Sequence, residues 1–169
     1  MGKLSFRLPQ RAAGCLLCHA LCPPSTGRLC SGCLRDLQQL AVRADSVCPR
    51  CAGVSSGGVV CGQCQQKAPQ FDALWTSVYY LPPVSGVLHQ FKHLRDIALA
   101  EPLAALMQSL PPPWLAEQKF DWVLAMPLSR ERRLFRGFNQ CEELLSFLAR
   151  DYGWNIAPPS SVLRRFSPP

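Results

Sequence analysis

Beyond residue 70 the apolar positions fall into two kinds of run. "FDALWTSVYYL" (71–81) is β-branched and aromatic and reads as a strand, closed by the turn "PPVSG". In "SGVLHQFKHLR" (85–95), Val87, Leu88, Phe91 and Leu94 recur at helical spacing. "IALAEPLAALMQSL" extends the helical pattern, with Pro102 placed to break or restart it. "PPPWLAEQK" is a loop. "FDWVLAMPL" (120–128) is a continuous apolar run of strand length, the pattern of a buried parallel strand. "GFNQCEELLSFLARDYG" is the clearest helix, with Leu144, Leu145 and Leu148 on its apolar face and Gly153 as its stop. "WNIAPPSSVLRRFSPP" holds a further short strand before its prolines. Strand, helix, strand, helix in this order predicts an α/β unit with parallel pairing.

The first third of the chain has a different texture. Apolar periodicity is scarce between residues 15 and 64. The exception is "LRDLQQLAV", where Leu34, Leu37 and Leu40 predict a short helix after Cys33. "QKAPQ" is a turn-rich joint. The expected organisation is therefore a cysteine-rich module over 1–68 and an α/β domain over 69–169.

Nine of the ten cysteines lie between Cys15 and Cys64. Eight form the pairs "CLLC" (Cys15, Cys18), "CSGC" (Cys30, Cys33), "CPRC" (Cys48, Cys51) and "CGQC" (Cys61, Cys64). Two intervening residues let both sulfurs of a pair face one ion from a tight turn, and Gly32, Pro49, Gly53 and Gly62 suit such knuckles. Four pairs supply two tetrahedral Cys₄ sites, the closed arrangement of structural Zn²⁺. A redox dithiol would normally stand alone beside a βαβ pattern, which favours metal. Consecutive pairing makes two ribbons, Cys15/Cys18/Cys30/Cys33 and Cys48/Cys51/Cys61/Cys64; a cross-brace would join the first pair to the third. The short gaps within each half favour ribbons. Cys22 is spare and reads as a buried thiol, and His19 as a bystander. Four thiolates leave no open position for a substrate, so the two Zn²⁺ are expected to be structural.

Charge changes this picture only locally. The formal net charge of +7 suggests anionic partners. Eight thiolates on two Zn²⁺ would lower it by four, to +3, so the basic character survives as a patch. That patch is "RERRLFRGFNQ": Arg130, Arg132, Arg133 and Arg136 follow the apolar run 120–128. In α/β folds, ligands bind beyond the carboxyl ends of strands. Free amides at the next helix add positive potential, Gly137 allows close backbone approach, and Asn139 can cap the helix. The arrangement suits a phosphorylated or polyanionic ligand; a solvated basic loop is the alternative. Trp75, Tyr79, Tyr80, Phe135 and Phe138 permit stacking of single-stranded nucleic acid, although aromatics in apolar runs more often serve the core. No apolar run approaches the roughly 20 residues needed to span a bilayer. "MGKLSFRLPQRAAGC" has no apolar stretch of signal-peptide length, and Phe6 sits where a myristoylation pattern requires Ser or Thr. The chain reads as cytoplasmic and not membrane-inserted, a setting in which paired cysteines favour metal over disulfides.

"MPLSRERRLFRGFNQCEELL" resembles the signature of the ComF family of competence-related proteins, most specifically at Arg136-Gly137-Phe138-Asn139-Gln140. The cysteine-rich start resembles that family's double zinc ribbon, and "FKHLRDIALAEPLAALM" is similar to its basic segment before a helix. The resemblance covers essentially the whole chain. It implies a type I phosphoribosyltransferase-like fold behind the zinc module, incomplete at the C-terminus. It also implies a role in natural transformation or use of external DNA, in company with other competence proteins. Lys92 and the segment from Arg132 to Gln140 would lie near a phosphate pocket. The acidic pair and Thr/Gly loop that hold the ribose phosphate of phosphoribosyl pyrophosphate (PRPP) are absent. "LRRFSPP" resembles the point where family members read on, so the resemblance implies a shortened member: a fragment, a frameshifted product or a naturally reduced form. The expected function is non-catalytic, with single-stranded DNA as partner and weak binding of PRPP or pyrophosphate; an active phosphoribosyltransferase is the alternative.

Overall fold

The structure, a computed structural model, describes residues 13–22 and 29–157. Its two-residue strands β1 (Ala13–Gly14) and β2 (Leu21–Cys22) pair antiparallel, with Ala13 opposite Cys22 and Gly14 opposite Leu21. Six α-helices follow among the described residues: α1 (Ser31–Gln38), α2 (Gly62–Gln66), α3 (Val84–His93), α4 (Ala100–Ser109), α5 (Arg130–Arg136) and α6 (Gln140–Tyr152). None is long and apolar enough to cross a membrane.

The helix predictions hold, with boundaries set by local chemistry. Cys30 is the N-cap of α1, so that helix begins before Cys33 rather than after it. In α3, Val87 and Phe91 are buried as the spacing predicts, whereas Leu94 has passed the helix end and is exposed. Pro102 restarts the helical run. It is the third residue of α4, where its missing N–H would have had no helical partner, and it follows a 3₁₀ turn at Ile97–Leu99. Asn139 caps α6 through its side chain to the Cys141 amide, and Gly153 ends it in the left-handed conformation.

The strand predictions fare differently. Residues 71–81 and 120–128 are extended but form no ladder. Val78 makes one antiparallel bridge to Ala41, and Val123 one parallel bridge to Ile156. The described fold is thus mostly helical with little strand. The short strand expected near Ile156 is reduced to that single bridge, and "SSVLRRFSPP" lies outside the described residues.

The main core joins both halves of the chain. Cys15, Cys22, Leu29 and Leu37 pack in one cluster with Val84, Val87, Phe91, Leu99 and Leu103. The first cysteine module therefore shares its apolar interior with α3 and α4. The second is tied more lightly, through backbone hydrogen bonds from Val42 to Ser77 (3.0 Å) and Tyr79 to Leu40 (2.8 Å). A smaller cluster places Ala125 against Leu145 and Ala149 of α6.

Candidate metal centres and basic face

The two cysteine clusters are near copies. The Cys15 amide donates to the Ala20 carbonyl (2.7 Å) and the His19 amide to the Cys15 carbonyl (2.9 Å). In the second, Cys48 donates to Gly53 (2.7 Å) and Ala52 to Cys48 (2.9 Å). The residue after each leading pair takes a left-handed φ, 60° at His19 and 55° at Ala52. His19 thus serves the knuckle with its backbone, and its side chain is exposed. The second pair of each cluster opens a helix: Cys30 caps α1 and Cys61 caps α2. These caps donate back across the cluster, from the Cys30 amide to Cys15 Sγ and from the Cys61 amide to Cys48 Sγ, each at 3.4 Å. A tight turn at Gly58 supports the second module. A Cβ there would lie 2.6 Å from the Ala44 carbonyl oxygen, so only glycine fits.

Within each cluster the four sulfurs lie within 4.8 Å of one another, in the sets Cys15/Cys18/Cys30/Cys33 and Cys48/Cys51/Cys61/Cys64. This is consecutive pairing, not a cross-brace. The sulfurs of Cys18 and Cys30 are 3.6 Å apart, and those of Cys51 and Cys61 3.7 Å. Four sulfurs held ~2.3 Å from one tetrahedral ion would be about 3.8 Å apart, so both donor sets fit a metal ion. Charge agrees. Burial opposes ionisation of Cys15, but amide donors at Cys18, Cys30 and Leu17 outweigh it and bring the thiol down to about 6. The Cys61 amide leads the same effect at Cys48, also to about 6. Burial pushes Cys33 upward and Cys64 to about 12. A thiol must lose its proton to bind a metal ion, so metal binding at these sulfurs is coupled to proton release. Cys22 lies outside both sets. It is buried, and burial together with the charge on Cys15 pushes its thiol up.

The arginine-rich stretch is itself a helix rather than a loop. The Ser129 hydroxyl accepts from the Arg132 amide at the start of α5, and Gly137 (φ 82°) ends it. That glycine provides a left-handed turn, and no other protein atom lies within 4 Å of where its Cβ would be. The four arginines differ. Arg133 makes a bidentate pair with Glu142, both contacts at 3.0 Å. Arg136 donates to Gln140 Oε1 at 3.0 Å. Arg130 and Arg132 are exposed and have no side-chain partner among the described residues. Asn139 is fully buried; its amide donates to the Met126 carbonyl (3.1 Å) and pins the end of the 120–128 run to α6. Gln140 is buried too, and its Nε2 has no acceptor among the described residues.

Lys92 lies in the last turn of α3, half-buried. That turn meets the α5–α6 junction through Phe91 and Phe138, whose rings are 5.6 Å apart, and through Arg95 over the Phe135 ring at 5.0 Å. The structure therefore packs the exit of α3, which carries Lys92 and Arg95, against the α5–α6 corner. It adds Arg95, Ser129 and Glu142, which sequence reasoning missed. Ser129, directly before a charged helical run, carries a legible capping signal. Arg95 carries none, because its place depends on α3 packing against α5.

No protein-family model matches the chain, and no solved structure matches it. Among curated proteins, the DNA utilization protein YhgH of Salmonella typhi is 33% identical over 151 residues, covering 82% of this chain and 61% of that protein. Those of Shigella flexneri and Escherichia coli (strain K12) are each 32% identical over 148 residues, covering 80% of this chain and 60% of theirs. The chain spans about three fifths of the length of these relatives. Along about four fifths of its own length it is similar to bacterial proteins named for DNA utilization.

Proposed function

We propose that this protein works in the uptake or use of DNA, as a ComF-like protein with two structural Zn²⁺ sites in front of a phosphoribosyltransferase-like core. Single-stranded DNA is held by the basic face and no phosphoribosyl group is transferred. The observation that carries this reading is the α5 face. Arg130 and Arg132 have no side-chain partner among the described residues, and Arg95 lies over the exposed ring of Phe135 on the same helix. Cations for phosphates next to an aromatic surface for bases are the components of sequence-tolerant single-strand binding. The names of the relatives point the same way. The four-sulfur geometry supports Zn²⁺, since thiolate-only tetrahedral sites favour it.

Active phosphoribosyl transfer from PRPP is the second reading. It draws on the parallel bridge between Val123 and Ile156, which α6 connects as in a βαβ unit. Fluorescence titration of labelled oligo-dT at two salt concentrations tests the first reading. Each phosphate contact contributes about −0.7 to the log–log salt slope, and the Arg130→Ala/Arg132→Ala variant is expected to make the slope shallower by about 1.4 on that basis. An unchanged slope removes α5 as the contact surface. Micromolar PRPP binding with clear preference over pyrophosphate would favour transfer.

A further inference from the structure

Helix α3 is apolar on one side and exposed on the other. Val84, Val87 and Phe91 are buried in the main core. His89 and His93 each follow one of these buried residues by two positions, a rotation of about 200° around the helix, and both are exposed. They are four residues apart, so their side chains share one face, one turn above the other. The imidazole ring centres are 5.0 Å apart, with 26° between the ring planes. Apart from this mutual contact, neither side chain has a partner among the described residues, so their ring nitrogens are uncommitted.

The spacing suits a shared ion. An ion about 2.1 Å from one nitrogen of each ring would lie about 3.2 Å from both ring centres. Angles at the ion between about 90° and 109° then set the centres roughly 4.5–5.2 Å apart. The observed 5.0 Å falls inside that interval. The terminal torsion of a histidine is broad, and both rings are exposed. Each ring can therefore turn a nitrogen toward the common point without displacing a packed neighbour. "HQFKH" (89–93) also has the spacing of the helical H-E-x-x-H motif, in which two histidines one turn apart hold Zn²⁺. Gln90 stands where that motif has its general-base Glu, so the arrangement here can bind a metal but lacks the group that would activate water.

We propose that His89 and His93 form a metal site separate from the two cysteine sets, for a divalent transition-metal ion of the Ni²⁺, Cu²⁺ or Zn²⁺ kind. Imidazole donors suit these ions, whereas Mg²⁺ and Ca²⁺ require oxygen ligands. The cysteine sets are closed by four sulfurs. Two imidazoles leave further positions for water or an anion, so this site is open. Lys92 and Arg95 are cations close by in sequence and oppose the binding of another cation. The ion is therefore exchangeable rather than structural.

The test titrates Ni²⁺ into the full chain with its cysteine-bound metal in place, at about pH 7.5, above the usual imidazole range. Ni²⁺ is the probe because tetrahedral four-thiolate sites favour zinc, which keeps the cysteine sets out of the titration. Calorimetry should show one Ni²⁺ per chain, and amide NMR should show paramagnetic broadening centred on residues 89–93. His89→Ala and His93→Ala should each weaken binding at least about tenfold, since each removes half of a chelate. His19→Asn removes the remaining histidine of the chain, at a position with a left-handed φ that Asn tolerates, and should change nothing. His93→Leu/Leu94→His keeps the number of histidines but offsets the pair to five residues, and it should bind as weakly as the single-alanine variants. His19, His89, His93 and Leu94 are all exposed, so these variants are expected to fold. Three results would overturn the proposal. They are no saturable binding by about 1 mM Ni²⁺, equal affinity of His93→Ala and the parent, or undiminished binding by the offset pair.

Discussion

The Arg95 guanidinium lies over the Phe135 ring, 5.0 Å from its centroid. This contact locks the exit of α3 onto the face of α5. Arg95 also occupies a left-handed conformation (φ 59°), which costs a non-glycine residue about 1–2 kcal/mol. The cation–π contact returns about 0.5–1 kcal/mol at a partly exposed site.

These two terms separate folding from binding. Arg95→Gly removes the backbone strain together with the cation, so stability should change by less than about 1 kcal/mol. Affinity for single-stranded DNA should fall severalfold and its salt slope should become shallower by about 0.7. Thermal melting and a salt titration on the same variant check both. A large stability loss with unchanged affinity would make Arg95 purely structural.

The cysteine geometry predicts which sulfurs hold metal. Protein purified without chelator should contain two ions per chain, read by elemental analysis. Cys48→Ser should leave one and loosen residues 47–64, because metal binding and folding are coupled. Cys22→Ala should keep both, since its sulfur belongs to neither set of four. Loss of an ion from Cys22→Ala would show that a different set of sulfurs does the binding.

Local patterns were legible in the sequence where local chemistry decides the structure. The CxxC knuckles, the Asn139 cap and the Gly153 stop of α6, and the Val87–Phe91 face of α3 all depend on neighbours within a few residues. The apolar runs 71–81 and 120–128 were read as strands, yet a strand exists only with a partner, and each finds a single bridge. Helix α5 was missed for a different reason. Its four arginines mask any apolar period, and Leu134 and Phe135 are both exposed, so the Ser129 cap and the Gly137 stop were its main local signals. The selection of Arg130 and Arg132 as free cations depends on Glu142 and Gln140, which only the folded α5–α6 corner brings within reach.

Gly137 separates two roles that the sequence left combined. Its φ of 82° and the open space around it predict that Gly137→Ala costs about 1–2 kcal/mol through backbone conformation alone. For a chain of this size that lowers Tm by about 2–8 °C. Gly137→Asn should cost less, because Asn tolerates the left-handed region. DNA affinity of the folded Gly137→Ala protein should match the parent. A tenfold loss of affinity at temperatures where the variant is folded would restore the close-approach role.

Glu142 restrains the positive face. Its carboxylate holds Arg133 in a bidentate pair at 3.0 Å and sits in the first turn of α6, where negative charge complements the helix N-terminus. The arginine side of the pair is more than half exposed, so the pair itself contributes little to stability, within about 1 kcal/mol. Glu142→Gln keeps the side-chain shape and removes one negative charge. It should lower stability by less than about 1.5 kcal/mol, summing the lost pair and the lost helix-end interaction. It should also release Arg133 toward solvent beside Arg130 and Arg132. If the α5 face binds single strands by charge, the variant binds more tightly than the parent, and its log–log salt slope steepens by about 0.7 for the added contact. The gain should vanish in Glu142→Gln/Arg133→Ala, which has no cation left to release. Titrations of the parent and both variants at low and moderate salt decide the matter. A Glu142→Gln protein that is folded and binds no better than the parent would mean that phosphates do not reach α5.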